Sequence, residues 1–289
     1  DSDFKYFTEN NNKSFGPGIV DMKGGLVVGI YAIKALDAAG LLKSIPIKFA
    51  FNSDEEIGSR GSRDFIKDEA KDCKFAIVLE AGGDKGGIVT GRKGGFSSEL
   101  KLYGEAGHAA FVGKNKKSTI LEFAHKALKL EALNDFDKGI TVNIGKVKAG
   151  DSYNIVPKEL TALIDCRYST SEDYENLMEN ITRIVNTSHV KGVKSEFKLL
   201  MGRPPMEQSI ANKELFNMFK TEADKLNMPL WEEFRKGGSD ANVIASCNIP
   251  VIDGLGPEGG KDHSEDEFMI TKTLLDKTIL LSCFLANTD

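Results

Sequence analysis

Apolar residues recur along this chain in two rhythms, and the change between them divides it into three blocks. In the first block, apolar positions fall on most sides of a helical repeat from Gly25 to Ala39, with Gly40 as the C-cap. Ile45–Asn52 and Phe75–Leu79 are short continuous apolar runs, predicted as buried strands, with a helix over Ser62–Ala70 between them. From about Gly94 to Met201 the pattern alternates instead. Phe96–Tyr103, Ile140–Lys148, Leu160–Tyr168 and Ser195–Leu200 read as strands. Amphipathic helices are predicted over Ser118–Leu133, with Ser118 as N-cap, and over Ser171–Asn186. The order β-α-β-β-α-β is that of a ferredoxin-like unit. The third block returns to the first rhythm: helix Asn212–Leu226, strand Leu230–Phe234, a helix beginning Asp240–Ala245, strand Pro250–Leu255 and a long buried helix Thr271–Ala286. The expected fold is α/β. Residues 1–93 and 202–289 share a mostly parallel sheet with helices on both faces, and residues 94–201 form an inserted second domain.

Composition narrows the function classes without naming one. A length of 289 residues suits two domains, and 40% hydrophobic residues with a mean hydropathy of -0.26 fit a globular core. A net charge of -5 and a pI near 5.6 argue against a nucleic-acid partner, and the basic run Lys114–Lys117 has no interleaved aromatics. The longest apolar stretch, Thr278–Ala286, is too short to span a bilayer, so no membrane partner is expected. Cys73, Cys166, Cys247 and Cys283 form no C-x-x-C pair and read as buried free thiols, which points to a reducing, cytoplasmic setting.

The chemistry concentrates at predicted strand ends. Asp54-Glu55-Glu56 closes the first apolar run, Glu80 closes the second, Asp21 precedes the first helix, and His263 follows the last strand. Adjacent carboxylates repel one another, so a cation among them is expected. In open α/β sheets ligands bind at the carboxyl ends of the strands. Mixed oxygen and nitrogen donors suit zinc, manganese or cobalt, and a spare carboxylate suits a general base. Each residue also has a structural reading. Asp21 and Asp240 could cap helices, Asp54 and Glu80 could lie in solvated loops, and His125 and His189 read as structural.

The segments GPGIVDMKGG, NSDEEIGSRGS, VLEAGG, Gly107-His108-Ala109, Asn154-Ile155-Val156-Pro157, GGSDAN and Asp262-His263-Ser264-Glu265-Asp266-Glu267 occur in the order found in the di-zinc exopeptidases and amidohydrolases. The chain resembles that family along essentially its whole length, most of all its glutamate carboxypeptidase branch. The resemblance implies Asp21 as the residue bridging two zinc ions, Glu55 as general base, Glu56 and His263 as ligands of one ion, and Glu80 as ligand of the other. It also implies that the inserted domain is a lid through which a homodimer forms, that His108 stabilises the oxyanion, that Asn154 and Arg203 hold the substrate carboxylate, and that Gly238 lies in the substrate floor. The implied substrate is a small peptide losing its C-terminal amino acid, with N-acyl amino acids as the alternative. One departure matters. No histidine precedes His108, so the family's His-x-Asp motif has no counterpart here. One metal site is therefore expected to be incomplete, retaining Asp21 and Glu80. A catalytically incompetent scaffold is the alternative from another class.

Overall fold

Residues 6–288, described by a computed structural model, fold as two units: Lys93–Pro205, and the chain up to Arg92 together with Met206 onward. In the second of these, strands from both sides of the insertion interleave. Glu232–Arg235 runs parallel to Ile88–Arg92, and Val251–Ile252 runs parallel to Ala76–Ile77. Val89 and Asp253 exchange backbone hydrogen bonds of 2.8 and 2.9 Å and join the two ladders. Helices Gly24–Ala38, Ile210–Lys225 and Thr271–Ala286 bury Val28, Ala32, Phe219, Leu280 and Phe284 with Ile88 and Ile252 in one core. The Phe219 and Phe284 rings stack at 3.6 Å. Gly40, at φ 73, ends the first helix as expected.

One expectation fails here. Ile45–Asn52 is extended, but among the described residues no strand pairs with it. Its side chains alternate between half-buried and exposed, and Phe51 is 55% exposed, so it is not a doubly covered strand. The helix Gly24–Ala38 forms as expected and leaves Val27, Ile30 and Tyr31 of its apolar surface exposed. A further antiparallel sheet, without a signal in the sequence pattern, joins Thr8–Asn10, Lys13–Phe15, Phe268–Ile270 and Gly259–Gly260, in that order. Strands of two or three residues are too short to leave a period in the sequence.

The Lys93–Pro205 unit follows its pattern closely. Its sheet runs Lys194–Arg203, Gly94–Tyr103, Glu159–Tyr168, Thr141–Ala149, with every neighbouring pair antiparallel. This is the ferredoxin-like order. Alternate residues such as Leu100, Leu102, Ala162 and Ile164 face a core shared with Leu130, Leu177 and Ile181 of helices Thr119–Glu131 and Ser171–Asn186. Ser118 caps the first helix by accepting from Leu121 N–H. The second, Ser171–Asn186 as predicted, is capped by Thr170 in a reciprocal box with Asp173.

All four cysteines are free, but only Cys166 is fully buried, and burial pushes its thiol up to about 12. Among the described residues no helix is long and apolar enough to cross a membrane.

Helix Thr271–Ala286 carries one ionisable group inward. Lys277 is 5% exposed and donates to the Gly86 carbonyl at 2.7 Å. Burial brings its pKa down from 10.5 to about 8. Between those values the unfolded chain binds more protons than the folded one, so stability rises with pH through that window, by about 3 kcal/mol in all. Lys277→Met should flatten this rise. Urea denaturation of both proteins at pH 7 and pH 10 tests it, and parallel pH curves would show that the ammonium is not desolvated.

Candidate metal centre

The loop before the first helix is held from the far end of the chain. The Glu267 carboxylate, 4% exposed, accepts from the backbone N–H groups of Gly18 at 2.7 Å, Val20 at 2.9 Å and Asp21 at 3.1 Å. Asp21 lies at φ -120, ψ 93, outside helical geometry, and Lys23 occupies the N-cap position. Asp21 therefore does not cap the helix, and its side chain is available to the site. Close packing then brings Glu80 in. A Cβ on Gly25 would lie 1.8 Å from the Leu79 carbonyl oxygen, so only glycine lets the helix start approach this segment. On its other side Gly256 donates to the Glu80 carbonyl at 2.8 Å.

His263 completes the cluster from a loop residue with φ 60. Its Nε2 lies 3.0 Å from Asp21 Oδ2 and 3.5 Å from Glu56 Oε2. Donor atoms of Asp21, Asp262 and His263 all lie within 4.8 Å of one another. Asp262 was not singled out from sequence, although its place beside His263 was the available signal.

Glu55 and Glu56 sit on a tight turn, Glu55–Ile57, in which Gly58 N–H donates to the Glu55 carbonyl at 2.8 Å. Asp54 is its brace. Its carboxylate accepts from the Ser62 hydroxyl at 2.5 Å and from the N–H groups of Gly61 at 2.7 Å and Ser62 at 3.2 Å. The Ser62 hydroxyl, aided by those N–H groups, holds Asp54 below its usual range.

The electrostatics ask for a cation. Burial, then the charges of Asp253, Glu55 and Asp21, push Glu80 up to about 9, and the Arg92 guanidinium only partly opposes them. The hydrogen bond to Asp21, followed by the Glu56 charge, raises His263. Carboxylates gathered this closely repel one another, and a cation held among them would relieve that repulsion. A divalent cation fits this donor set. Asp21, Asp262, His263 and Glu56 offer mixed oxygen and nitrogen ligands, and Glu80 offers a further carboxylate.

A second network lies behind the cluster and was not legible from sequence. Asp253 is fully buried and accepts from Arg92 Nε at 2.7 Å and from the Ser239 hydroxyl at 2.6 Å. Arg92 also donates to the Gly237 carbonyl at 3.0 Å, which holds the Gly237-Gly238 segment in place. Ser239 caps helix Asp240–Ala245 in a box with Asn242, so Asp240 is not the cap. A cavity of about 370 Å³ opens beside Asp262, bordered by Val20, Asp84, Arg235 and Lys261.

The remaining candidates belong to the Lys93–Pro205 unit. His108 is exposed on the short strand Gly107–His108, which pairs with Ile155–Val156. Its Nδ1 accepts from Ala110 N–H at 3.3 Å, and Ala109 N–H donates to the Asn154 carbonyl at 2.9 Å. His108 and Asn154 are thus brought to one turn region. Arg203 ends strand Lys194–Arg203, and its carbonyl accepts from the Tyr168 hydroxyl at 2.9 Å.

The sequence pattern of the peptidase family M20/M25/M40 matches residues 2–287. The chain belongs to this family. Carboxypeptidase G2 from a Pseudomonas strain is 30% identical over 266 residues, which cover 90% of this chain and 63% of that protein. Succinyl-diaminopimelate desuccinylase from Ectopseudomonas mendocina is 26% identical, over 90% of this chain and 70% of that protein. The chain thus spans about two-thirds of the length of these M20 relatives. The fold matches the crystal structure of aminopeptidase PepT from Bacillus cereus with a TM-score of 0.84 at 22% identity, covering 97% of this chain and 75% of that one. The resemblance read from the motifs and the α/β class both stand.

Proposed function

We propose that this M20 member hydrolyses an amide bond in a small substrate with the help of a divalent metal, most simply zinc, releasing a C-terminal amino acid such as glutamate. The observation that carries the reading is the convergence of Asp21, Asp262 and His263 donors within 4.8 Å, with Glu56 Oε2 at 3.5 Å from the imidazole. A cation held there would polarise a carbonyl oxygen and acidify water. Glu55, beside the cluster but outside that ligand group, serves as base: it takes a proton from the attacking water and delivers it to the departing amine. From the Lys93–Pro205 unit we assign His108 to the oxyanion and Asn154 with Arg203 to the substrate carboxylate. Arg203 suits that role because a guanidinium grips a carboxylate through two parallel hydrogen bonds. Gly238, on the segment pinned by Arg92, is assigned to the substrate floor. A homodimer through this unit and a cytoplasmic setting, in keeping with four free cysteines, belong to the same reading. The names of the relatives favour carboxypeptidase chemistry over N-acyl release, since carboxypeptidase G2 is the more similar of the two quoted.

The test pairs zinc titration with a substrate panel of C-terminal glutamyl peptides, N-succinyl and N-acetyl amino acids. One tightly held ion per chain is expected, with release from the glutamyl peptides. His263→Ala should weaken zinc binding by at least about 10–100-fold. A chain that holds no zinc and cleaves nothing in the panel would overturn the proposal.

A further inference from the structure

The GGSDAN stretch contains one carboxylate that neither the metal cluster nor the helix cap uses. Both oxygens of Asp240 reach a segment more than 180 residues earlier. One accepts from the Ser59 hydroxyl, and the other accepts from Asn52 Nδ2 at 2.7 Å. Asn52 Nδ2 also donates to the Ser62 hydroxyl at 3.2 Å, the same hydroxyl that Asp54 accepts from. The contacts bracket the turn that carries Glu55 and Glu56.

Ser59 is fully buried and sits at φ 51, in the left-handed region that a serine seldom occupies without something to hold it there. Its own N–H donates to the Asp54 carbonyl at 2.7 Å and closes the turn. The chain leading into the turn, Ile45–Asn52, lacks a ladder partner among the described residues. Asp240 itself is fixed from behind, because Ser239 is bonded to the buried Asp253 and Asp253 to Arg92. A continuous polar chain therefore runs from the Arg92–Asp253 pair through Ser239 and Asp240 to Ser59.

We propose that Asp240 is a positioning residue: its bonds to Ser59 and Asn52 set where the 54–59 turn presents Glu55 and Glu56, and so the efficiency of the proposed hydrolysis, on which this inference rests. The type of residue fits the task. A carboxylate accepts two hydrogen bonds at once from two different donors, whereas an amide in its place offers one acceptor oxygen. Small displacements matter here, since a shift of about 1 Å in a reacting group lowers turnover by about 100-fold.

The test uses Asp240→Asn and Ser59→Ala in the full chain, with amide hydrogen exchange and kinetics read in parallel. The amides of Gly58, Ser59, Gly61 and Ser62 all donate within the turn and report on it directly. In both variants their exchange should quicken at least about 10-fold while that of helix Thr271–Ala286 is unchanged. Turnover should fall by about 10–100-fold with KM within about 2-fold. The double variant should be no worse than the more affected single one. Unchanged exchange at the four amides overturns the inference, and so does a rise in KM with kcat intact, which would make Asp240 a substrate contact. Additive effects of the two substitutions would also overturn it. A wild-type chain without hydrolytic activity would instead defeat the functional reading, and the exchange data would still decide the role of Asp240.

Discussion

Glu55→Gln should lower turnover by about 10²–10⁴-fold and leave zinc affinity unchanged. The two neighbouring glutamates differ in surroundings although they share one turn. Glu56 faces His263, with 3.5 Å between Oε2 and Nε2, and its side chain is 62% exposed. Glu55 is half-buried, and its charge is felt at Glu80. That places it by charge near the cluster, outside the three closely grouped donors, in keeping with the role of base proposed for it. Glutamine keeps the size and one acceptor oxygen of the carboxylate but cannot take up a proton at neutral pH. Asp54 accepts bonds that hold the turn, and the Glu55 backbone carbonyl that accepts from Gly58 N–H is kept in the variant, so the substitution should not unfold it. Steady-state kinetics and zinc titration on the same preparation check this. Retention of more than about a tenth of wild-type kcat would remove Glu55 as the base, while a loss of zinc would make it a ligand.

The carboxylate and histidine positions of this site were legible because their chemistry is unusual where it stands: three adjacent acids after an apolar run need an explanation that a solvated loop does not demand. Their supports were not. Glu267, Asp253, Arg92 and Asp240 are ordinary charged residues locally, and each acquires its meaning from a partner more than 150 residues away. Nothing in a window of the sequence encodes such a pairing. The same limit explains the fold. The insert reads correctly because strand alternation and helical amphipathicity are local, and its strands run 9 or 10 residues. Ile45–Asn52 reads wrongly because an apolar run reports a preference for burial and says nothing about which strand lies beside it. Pro46 and Lys48, both exposed, were the local signs that one edge and one face would stay uncovered.

Lys126→Met should destabilise the Lys93–Pro205 unit by about 3–5 kcal/mol. Lys126 and Glu122 are fully buried and stand four residues apart on helix Thr119–Glu131, with Nζ 3.0 Å from Oε1. The three ammonium protons go to the carbonyls of Ile184 at 2.9 Å, Val185 at 2.8 Å and Thr187 at 2.6 Å. These are the last carbonyls of helix Ser171–Asn186 and its cap residue, where a positive charge also meets the negative end of the helix dipole. Glu122 Oε2 accepts from the N–H groups of His189 at 2.8 Å and Val190 at 2.6 Å, on the chain just beyond that helix. Burial alone would raise the Glu122 carboxyl, but the Lys126 ammonium and these N–H donors outweigh it and keep it ionised. Methionine fills the space but strands one buried carboxylate and three helix-end carbonyls. Changing Glu122 to Gln as well removes the stranded charge and keeps an acceptor for the two N–H groups. The double variant should therefore recover part of the loss. Native-state hydrogen exchange along Ser171–Asn186, with urea denaturation of the four proteins of the cycle, gives the coupling directly. A loss below about 1 kcal/mol for Lys126→Met, or strictly additive changes in the double variant, would show that the pair does not hold the two helices together.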